Sequence, residues 1–159
     1  MDTLDNLATL LKERNRIDKL ISELIQRPAT QGHIGEFIAS KIFNIKLIEA
    51  ANNKAIDGYF TSGPLAEHSV DIKFYGKQEG LLAINDDMQP DYFLVLTGPK
   101  GSAVSSKGKS RLCVIDHVYI FEGKTLADRL RWLMARNLAH YEEASFGSPR
   151  SLQQEPRPG

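Results

Sequence analysis

The sequence predicts an α+β fold, an α/β sandwich in which N- and C-terminal helices flank a mixed central sheet of about five strands. Three observations predict this fold. Apolar residues recur at helical spacing up to residue 43, strand-like apolar runs follow from residue 45 to residue 121, and helical spacing returns from residue 125. Helices and strands therefore occupy separate parts of the chain, whereas a regular parallel sheet would alternate them.

Two helices are predicted in the first 43 residues. The first covers residues 2–26, where leucine and isoleucine recur at helical spacing among charged residues, and Pro28 ends it. The second covers residues 31–43, with Thr30 as its N-cap. Its apolar residues form one arc: Ile34, Phe37, Ile38 and Ile42. Glu36 lies off that arc, so the pattern does not assign it to the side that faces the core.

Five strands are predicted to follow, over residues 45–50, 55–61, 67–75, 92–97 and 111–121. A short connector, residues 77–88, separates the third strand from the fourth, and a loop rich in glycine, serine and lysine, residues 98–110, separates the last two. The domain prediction is a single domain over 1–146, made of an N-terminal helix (1–28), a core (31–121) and a C-terminal helix (125–145), and a disordered tail over 147–159.

The composition is that of a globular protein, with 42% hydrophobic and 25% charged residues. A formal net charge of zero argues against a dedicated nucleic-acid binder, but less against an enzyme that meets its substrate briefly. No run approaches the roughly 20 apolar residues that cross a bilayer, and the N-terminus lacks the basic segment of a signal peptide. The single cysteine, Cys113, excludes an internal disulfide and is predicted to be buried, so we expect a reduced, cytoplasmic setting.

The residues that carry chemistry lie on the second and third predicted strands. Asp71 and Lys73 are two residues apart on one strand, so their side chains share a face. A hairpin near Pro64 would bring Asp57 opposite Asp71, with the Cβ atoms about 5 Å apart. Two carboxylates that close repel each other unless a cation or a proton lies between them. The pattern therefore predicts a site for Mg²⁺ or Mn²⁺, with Lys73 placed to hold a phosphate or to orient and deprotonate a water molecule.

These residues resemble a known signature. Asp57, followed after thirteen residues by Asp71-Ile72-Lys73, resembles the motif of the PD-(D/E)xK nuclease superfamily, which has the restriction-endonuclease-like fold. The element order predicted for residues 31–97 also resembles the αβββαβ core of that superfamily, in which a helix before the sheet often carries a glutamate, the place of Glu36.

The resemblance implies a Mg²⁺-dependent endonuclease that hydrolyses phosphodiester bonds in nucleic acid, usually DNA. Lys73 would be the catalytic lysine, and Asp57 and Asp71 would be both catalytic and metal ligands. The backbone carbonyl of Ile72 would be a further ligand. Glu36 would bind the metal through water or would orient the other groups.

Contacts with nucleic acid are predicted at a second set of residues, which lie just after the third strand and in the lysine-rich loop. They are Lys77, Gln78, Lys100, Lys107, Lys109 and Arg111. The positive charge of the loop suits a phosphate backbone, although a solvated connection would have the same composition. Because a domain of this size has little surface for reading a long site, we also expect a homodimer or a larger partner protein, and no membrane.

Two other functions fit the same sequence. A restriction-like fold without turnover would serve as a nucleic-acid-binding or protein-assembly module, and its DNA binding would survive the loss of Asp57 and Asp71. A plain interaction protein would dimerise through its terminal helices and would bind no metal. At the level of single residues, Asp71 and Lys73 would then be a surface ion pair, and Asp57 would shape a bend before Gly58.

Overall fold

A computed structural model describes residues 2–49, 56–76, 89–100 and 113–133. The chain divides into two compact units, Met1–Lys124 and Thr125–Gly159. The first unit contains two helices and five strands. They are α1 (Thr3–Ile25), α2 (Gln31–Ile42), β1 (Ile45–Leu47), β2 (Gly58–Phe60), β3 (Ser69–Tyr75), β4 (Tyr92–Thr97) and β5 (His117–Glu122). The predicted α+β class is confirmed.

The five strands form one mixed sheet in the order β1-β2-β3-β4-β5. Strands β3 and β4 are parallel, and every other neighbouring pair is antiparallel. The pairing of β3 with β4 is continuous from Val70 to Tyr75, but β2 pairs with β3 only at Ser69 and Val70. Beyond Val70, therefore, the edge of β3 that faces β2 is no longer covered by β2 itself.

The apolar core lies between α2 and one face of the sheet. Its buried members are Ala39, Ile45, Phe60, Val70, Ile72, Leu94 and Leu96. Successive side chains of a strand point to opposite faces, so Asp71 and Lys73 lie on the face that does not carry this core. The separation of apolar and charged residues on β3 thus follows directly from the alternation in its sequence.

Helix α2 packs through small residues rather than through the predicted apolar arc. Its buried residues are Gly35 and Ala39, whereas Ile42 is exposed. A Cβ atom added to Gly35 would lie 2.6 Å from the Cβ atom of Phe74, which is closer than van der Waals contact allows. The predicted orientation was wrong because it weighed apolar size, whereas close approach of a helix to a sheet requires residues without bulk. Glu36 is consequently held next to the point of closest approach.

The helix ends follow the sequence predictions. Helix α1 ends at Ile25, and Gln26 adopts a left-handed conformation with φ 56°, two residues before Pro28. The side chain of Thr30 accepts a hydrogen bond from the backbone N–H of His33 at 3.4 Å, as expected for an N-cap. Helix α1 keeps several apolar side chains exposed: Leu4, Leu7, Leu10, Leu11, Ile17, Leu20 and Leu24. The expected homodimer stays a prediction.

Several boundaries differ from the predictions. Strands β1 and β2 are shorter than expected, so Asp57 immediately precedes β2 instead of lying within it. Strand β5 begins at His117, and the segment before it leaves Cys113 exposed rather than buried. The last helix begins at residue 123, directly after β5, and is described to residue 133. Strand β2 does not extend back to Asp57, because the side chain of Asp57 accepts the hydrogen bond from the N–H of Ile72 that a backbone carbonyl would accept in a longer strand.

Parts of the predicted map lie outside the described residues. They are residues 50–55 at the junction of the first two predicted strands, the connector over 77–88, residues 101–112, and the chain from residue 134, which includes the predicted tail. The predicted extent of the domain therefore stays a prediction. Within the residues that the structure describes, no helix has the length and apolar character needed to cross a membrane.

Candidate active site

Asp57 is fixed to both neighbouring strands. Its backbone N–H donates to the carbonyl of Val70 at 2.9 Å, and its backbone carbonyl accepts from the N–H of Ile48 at 2.9 Å. Its carboxylate oxygen Oδ2 accepts from the backbone N–H of Ile72 at 2.7 Å. The side chain of Asp57 thus takes the place of β2 beside β3, at the position where the regular pairing of the two strands has ended.

Asp71 and Lys73 lie next to this position on β3 and share a face, as the sequence predicted. The ammonium nitrogen Nζ of Lys73 is 2.9 Å from Oδ2 of Asp71. Asp71 is only 7% exposed. A surface ion pair, one interpretation of the sequence, is therefore wrong for these two residues.

The two aspartates are adjacent, and both hold a proton more tightly than usual. Burial, opposed by Lys73 and reinforced by the neighbouring Asp57, raises the pKa of Asp71 to about 6. Burial also raises the pKa of Asp57, against the hydrogen bond from Ile72, and the charge of Glu36 raises it further. A hydrogen bond between the two carboxyl groups contributes to both pKa shifts, and it requires that one of the two groups carries a proton. Such a pair favours either a shared proton or a bound cation.

Glu36 reaches the site from α2, in company with an arginine that the sequence did not single out. Its carboxylate forms an ion pair with Nη1 of Arg27, and Nη2 of the same arginine donates to the carbonyl of Ile48 at 2.8 Å. The charge of Glu36 acts on the carboxyl group of Asp57, and the predicted role of Glu36 at a metal ion stays a prediction. The only sequence signal for Arg27 is its position just before Pro28, where a charged residue looks like the solvated end of a helix.

The carbonyl of Ile72 points to the same edge of β3 as Asp57. In an extended strand the N–H and C=O groups of one residue share an edge, and the N–H of Ile72 faces the Asp57 carboxylate. On this edge, two residues further along, the carbonyl of Phe74 accepts from Nε2 of Gln31 at 3.3 Å. The site therefore gathers two carboxylates and a backbone oxygen at a place where β2 is absent.

This donor set fits a hard divalent cation. Mg²⁺ and Mn²⁺ prefer oxygen ligands, and protein Mg²⁺ sites commonly use one or two carboxylates and keep several water molecules. In the part of the chain that the structure describes, no three His, Cys, Asp or Glu side chains are grouped so as to hold a metal ion. A cation here would thus depend on Asp57, Asp71, the Ile72 carbonyl and water, with Glu36 acting at longer range.

Asp91, a carboxylate outside this group, bonds to the start of β3, and its pKa is shifted in the opposite direction. Oδ2 of Asp91 accepts from the backbone N–H and from the hydroxyl of Ser69, both at 2.8 Å, and the N–H of Asp91 donates to that hydroxyl oxygen at 2.9 Å. These hydrogen bonds, helped by nearby His68, lower the pKa of Asp91. The arrangement ties the start of β4 to the start of β3, and the sequence pattern did not reveal it.

Most of the residues predicted to contact nucleic acid lie outside the described residues. Lys100 is described and is exposed. The others lie outside the described residues: Lys77, Gln78, Lys107, Lys109 and Arg111. Their predicted role stays a prediction.

Comparisons of the chain with protein-family models, with curated proteins and with solved structures find no significant match. A proposal about function therefore depends on the geometry of the site and on the motif that its residues form.

Proposed function

We propose that this chain is a metal-dependent nuclease, which hydrolyses phosphodiester bonds in DNA with Mg²⁺ or Mn²⁺. The observation that carries the proposal is the pair formed by the half-buried Asp57 and the buried Asp71, with the Lys73 ammonium 2.9 Å from Asp71. The order α2, β1, β2, β3 and then a parallel β4 supports it, because the resemblance to the restriction-endonuclease-like core depends on that order.

The energetic cost of the carboxylate pair also supports a functional role. A buried carboxylate is stable as an anion when hydrogen-bond donors surround it. Here burial raises the pKa of both Asp57 and Asp71, and the charge of Asp57 raises the pKa of Asp71 further, so ionising both groups costs free energy. A divalent cation would relieve this repulsion, and when bound it would polarise the phosphate and acidify a water molecule. A fold that needed only stability would gain by replacing one of the two aspartates.

In the proposed reaction, each residue of the site would have a separate role. Asp57 and Asp71 would hold the cation together with the carbonyl of Ile72. Lys73 is only partly buried, so its ammonium can turn from Asp71 to a phosphate oxygen or can orient the attacking water and help to take its proton. Glu36 would order water molecules around the cation. DNA would approach the face of β3 that carries Asp71 and Lys73, since the opposite face is filled by α2.

The test is cleavage of plasmid DNA by purified protein with Mg²⁺ or Mn²⁺, compared with the variants Asp71→Asn and Lys73→Ala. Each variant should lose cleavage by about 100-fold or more, the scale of a lost general acid–base group. Matched controls are Asp116→Asn and Lys46→Ala, which alter exposed residues outside the site and should cleave like the wild type. Equal cleavage by the wild type and both site variants would show that the nuclease assignment is wrong.

DNA binding by the same variants, measured beside cleavage, distinguishes a nuclease from a binding module. If the wild type binds DNA without cleaving it, binding should survive Asp57→Asn and Asp71→Asn. It should weaken, with a smaller dependence on salt, when Lys107 and Lys109 are neutralised. That combination of results would favour a catalytically inactive nucleic-acid-binding or protein-assembly module. A plain interaction protein would bind neither Mn²⁺ nor DNA.

A further inference from the structure

Arg27 lies between α1 and α2 and makes two well-defined contacts. Nη1 pairs with the Glu36 carboxylate, and Nη2 donates to the carbonyl of Ile48 at 2.8 Å. The side chains of Arg27 and Glu36 are 28% and 14% exposed, whereas the surface pair Arg16 and Glu13 is 60% and 54% exposed. The Arg27 pair is therefore much more enclosed than an ordinary surface ion pair.

Both contacts of Arg27 lead to Asp57. Ile48, whose carbonyl holds Arg27, donates its own N–H to the backbone carbonyl of Asp57 at 2.9 Å. Glu36, the other partner of Arg27, acts electrostatically on the Asp57 carboxyl group. One guanidinium group thus connects two of the elements that surround Asp57, the end of β1 and the acidic side chain of α2.

The chemistry of arginine suits this position. A guanidinium is planar and presents several N–H donors in a fixed geometry, so it can hold a carboxylate and a carbonyl at a set angle to each other. A lysine ammonium in the same place could satisfy either acceptor but would not fix their relative position as well. Among the described residues, the salt bridge of Glu36 is to Arg27, and that of Asp71 is to Lys73.

We propose that Arg27 is a positioning residue of the candidate active site, which orients the Glu36 carboxylate and braces the end of β1 where Ile48 bonds to Asp57. This inference rests on the proposed metal-dependent function. Groups that orient the ligands of a metal typically change metal affinity or activity by about 10- to 100-fold when they are removed. Arg27→Ala should therefore weaken Mn²⁺ binding by about tenfold. Arg27→Lys should recover only part of that loss, because it restores the charge without the fixed geometry.

The test is the Mn²⁺ affinity of the full chain by titration calorimetry, at a temperature where circular dichroism shows each variant folded. The variants are Arg27→Ala, Arg27→Lys, Glu36→Gln and the double variant of Arg27→Ala with Glu36→Gln. If Arg27 acts through Glu36, the double variant should bind Mn²⁺ no more weakly than the weaker single variant. Arg16→Ala, which breaks the exposed pair with Glu13, should bind like the wild type.

The outcomes separate this inference from the proposed function. Wild-type protein that binds no Mn²⁺ would overturn the proposed function, and the inference would fall with it. Wild-type binding that is unchanged or tighter in Arg27→Ala and in Arg27→Lys would overturn the inference alone. Additive losses in the double variant would also overturn it, because a merely structural arginine and an independent Glu36 would act separately. If Arg27→Ala does not fold, Arg27→Lys and the Glu36→Gln background carry the same comparison.

Discussion

Two carboxylate sites involve residues of β3, and their carboxyl groups have pKa values shifted in opposite directions. At the start of the strand, Asp91 accepts two hydrogen bonds from Ser69, and its pKa is lowered. Two residues further along, Asp71 faces another carboxylate in a buried setting, and its pKa is raised to about 6. At the first site, two donors of Ser69 serve one carboxylate, whereas at the second site the Lys73 ammonium and the Ile72 N–H serve two neighbouring carboxyl groups.

Because the two pKa values are shifted in opposite directions, the two carboxylates have opposite effects on the free energy of unfolding. A lowered pKa means that the Asp91 carboxylate stabilises the fold at neutral pH, and this contribution is lost as the pH falls through its folded-state pKa. A raised pKa means the reverse for Asp71: its ionisation destabilises the metal-free fold increasingly as the pH rises from about 4 to about 6. At neutral pH, Asp91 therefore supports the fold and Asp71 weakens it. The two carboxylates thus contribute to the stability of the metal-free fold with opposite signs.

The largest predicted effect concerns the packing that brings Glu36 to the second site. Gly35→Ala should destabilise the protein, because the added Cβ atom would lie 2.6 Å from the Cβ atom of Phe74. Gly32→Ala is the matched control on the same helix, where an added Cβ atom meets nothing within 4 Å. Overpacking costs about 1–3 kcal/mol, and alanine gains up to about 1 kcal/mol in a helix, so the two variants should differ by about 2 kcal/mol.

Urea unfolding of Gly35→Ala and Gly32→Ala measures this difference. The displacement of α2 should also reduce Mn²⁺ binding in Gly35→Ala, since Glu36 is the next residue, while Asp91 and Ser69 stay in place. Equal stability of the two glycine variants would show that α2 does not depend on close contact with Phe74.

The next effect tests the sign of the Asp71 contribution. Asp71→Asn should stabilise the metal-free protein at pH 7.5 although it abolishes the proposed activity. A pKa of about 6 corresponds to at most roughly 3 kcal/mol of destabilisation, a figure that already includes the opposing interaction with Lys73, so the variant should gain about 1–3 kcal/mol. The measurement is urea unfolding in EDTA. Near pH 4 the wild-type carboxyl group is already protonated, so the advantage of the variant should disappear. Destabilisation by Asp71→Asn at pH 7.5 would contradict the assignment of Asp71 to the costly site.

The sequence was most informative where a local repeat determines the structure. Strand β4 was predicted with its observed ends, because its apolar run is bounded by Pro90 and Gly98. The shared face of Asp71 and Lys73 follows from the two-residue period of a strand, and their proximity to Asp57 follows from the hairpin. These parts of the site required no knowledge of how distant elements pack.

The parts that the sequence missed depend on long-range packing. Arg27 reaches Glu36 and Ile48 only because the link between two helices lies over the end of β1, and no local pattern encodes that position. The bonds between Ser69 and Asp91 require the parallel pairing of β3 with β4, across 22 residues of sequence. The buried side of α2 was missed for a related reason, since Gly35 matters only when Phe74 faces it.

The smallest predicted effect concerns the supporting carboxylate. Asp91→Asn should lower the free energy of unfolding at pH 7.5 by about 1 kcal/mol, the typical net value of a hydrogen bond, because an amide accepts less strongly from Ser69 than a carboxylate does. Ser69→Ala should give a similar loss, and the double variant should lose little more, since the two side chains act as one unit. The destabilisation by Asp91→Asn should fade as the pH falls through the lowered folded-state pKa of the wild-type carboxyl group, whereas it is a stabilisation that fades at low pH for Asp71→Asn. Both variants can be followed by urea unfolding in EDTA over the same pH series. Parallel pH trends for Asp71→Asn and Asp91→Asn would remove the distinction between the two sites, whereas opposite trends would show that the Asp91 carboxylate stabilises the metal-free fold and the Asp71 carboxylate destabilises it.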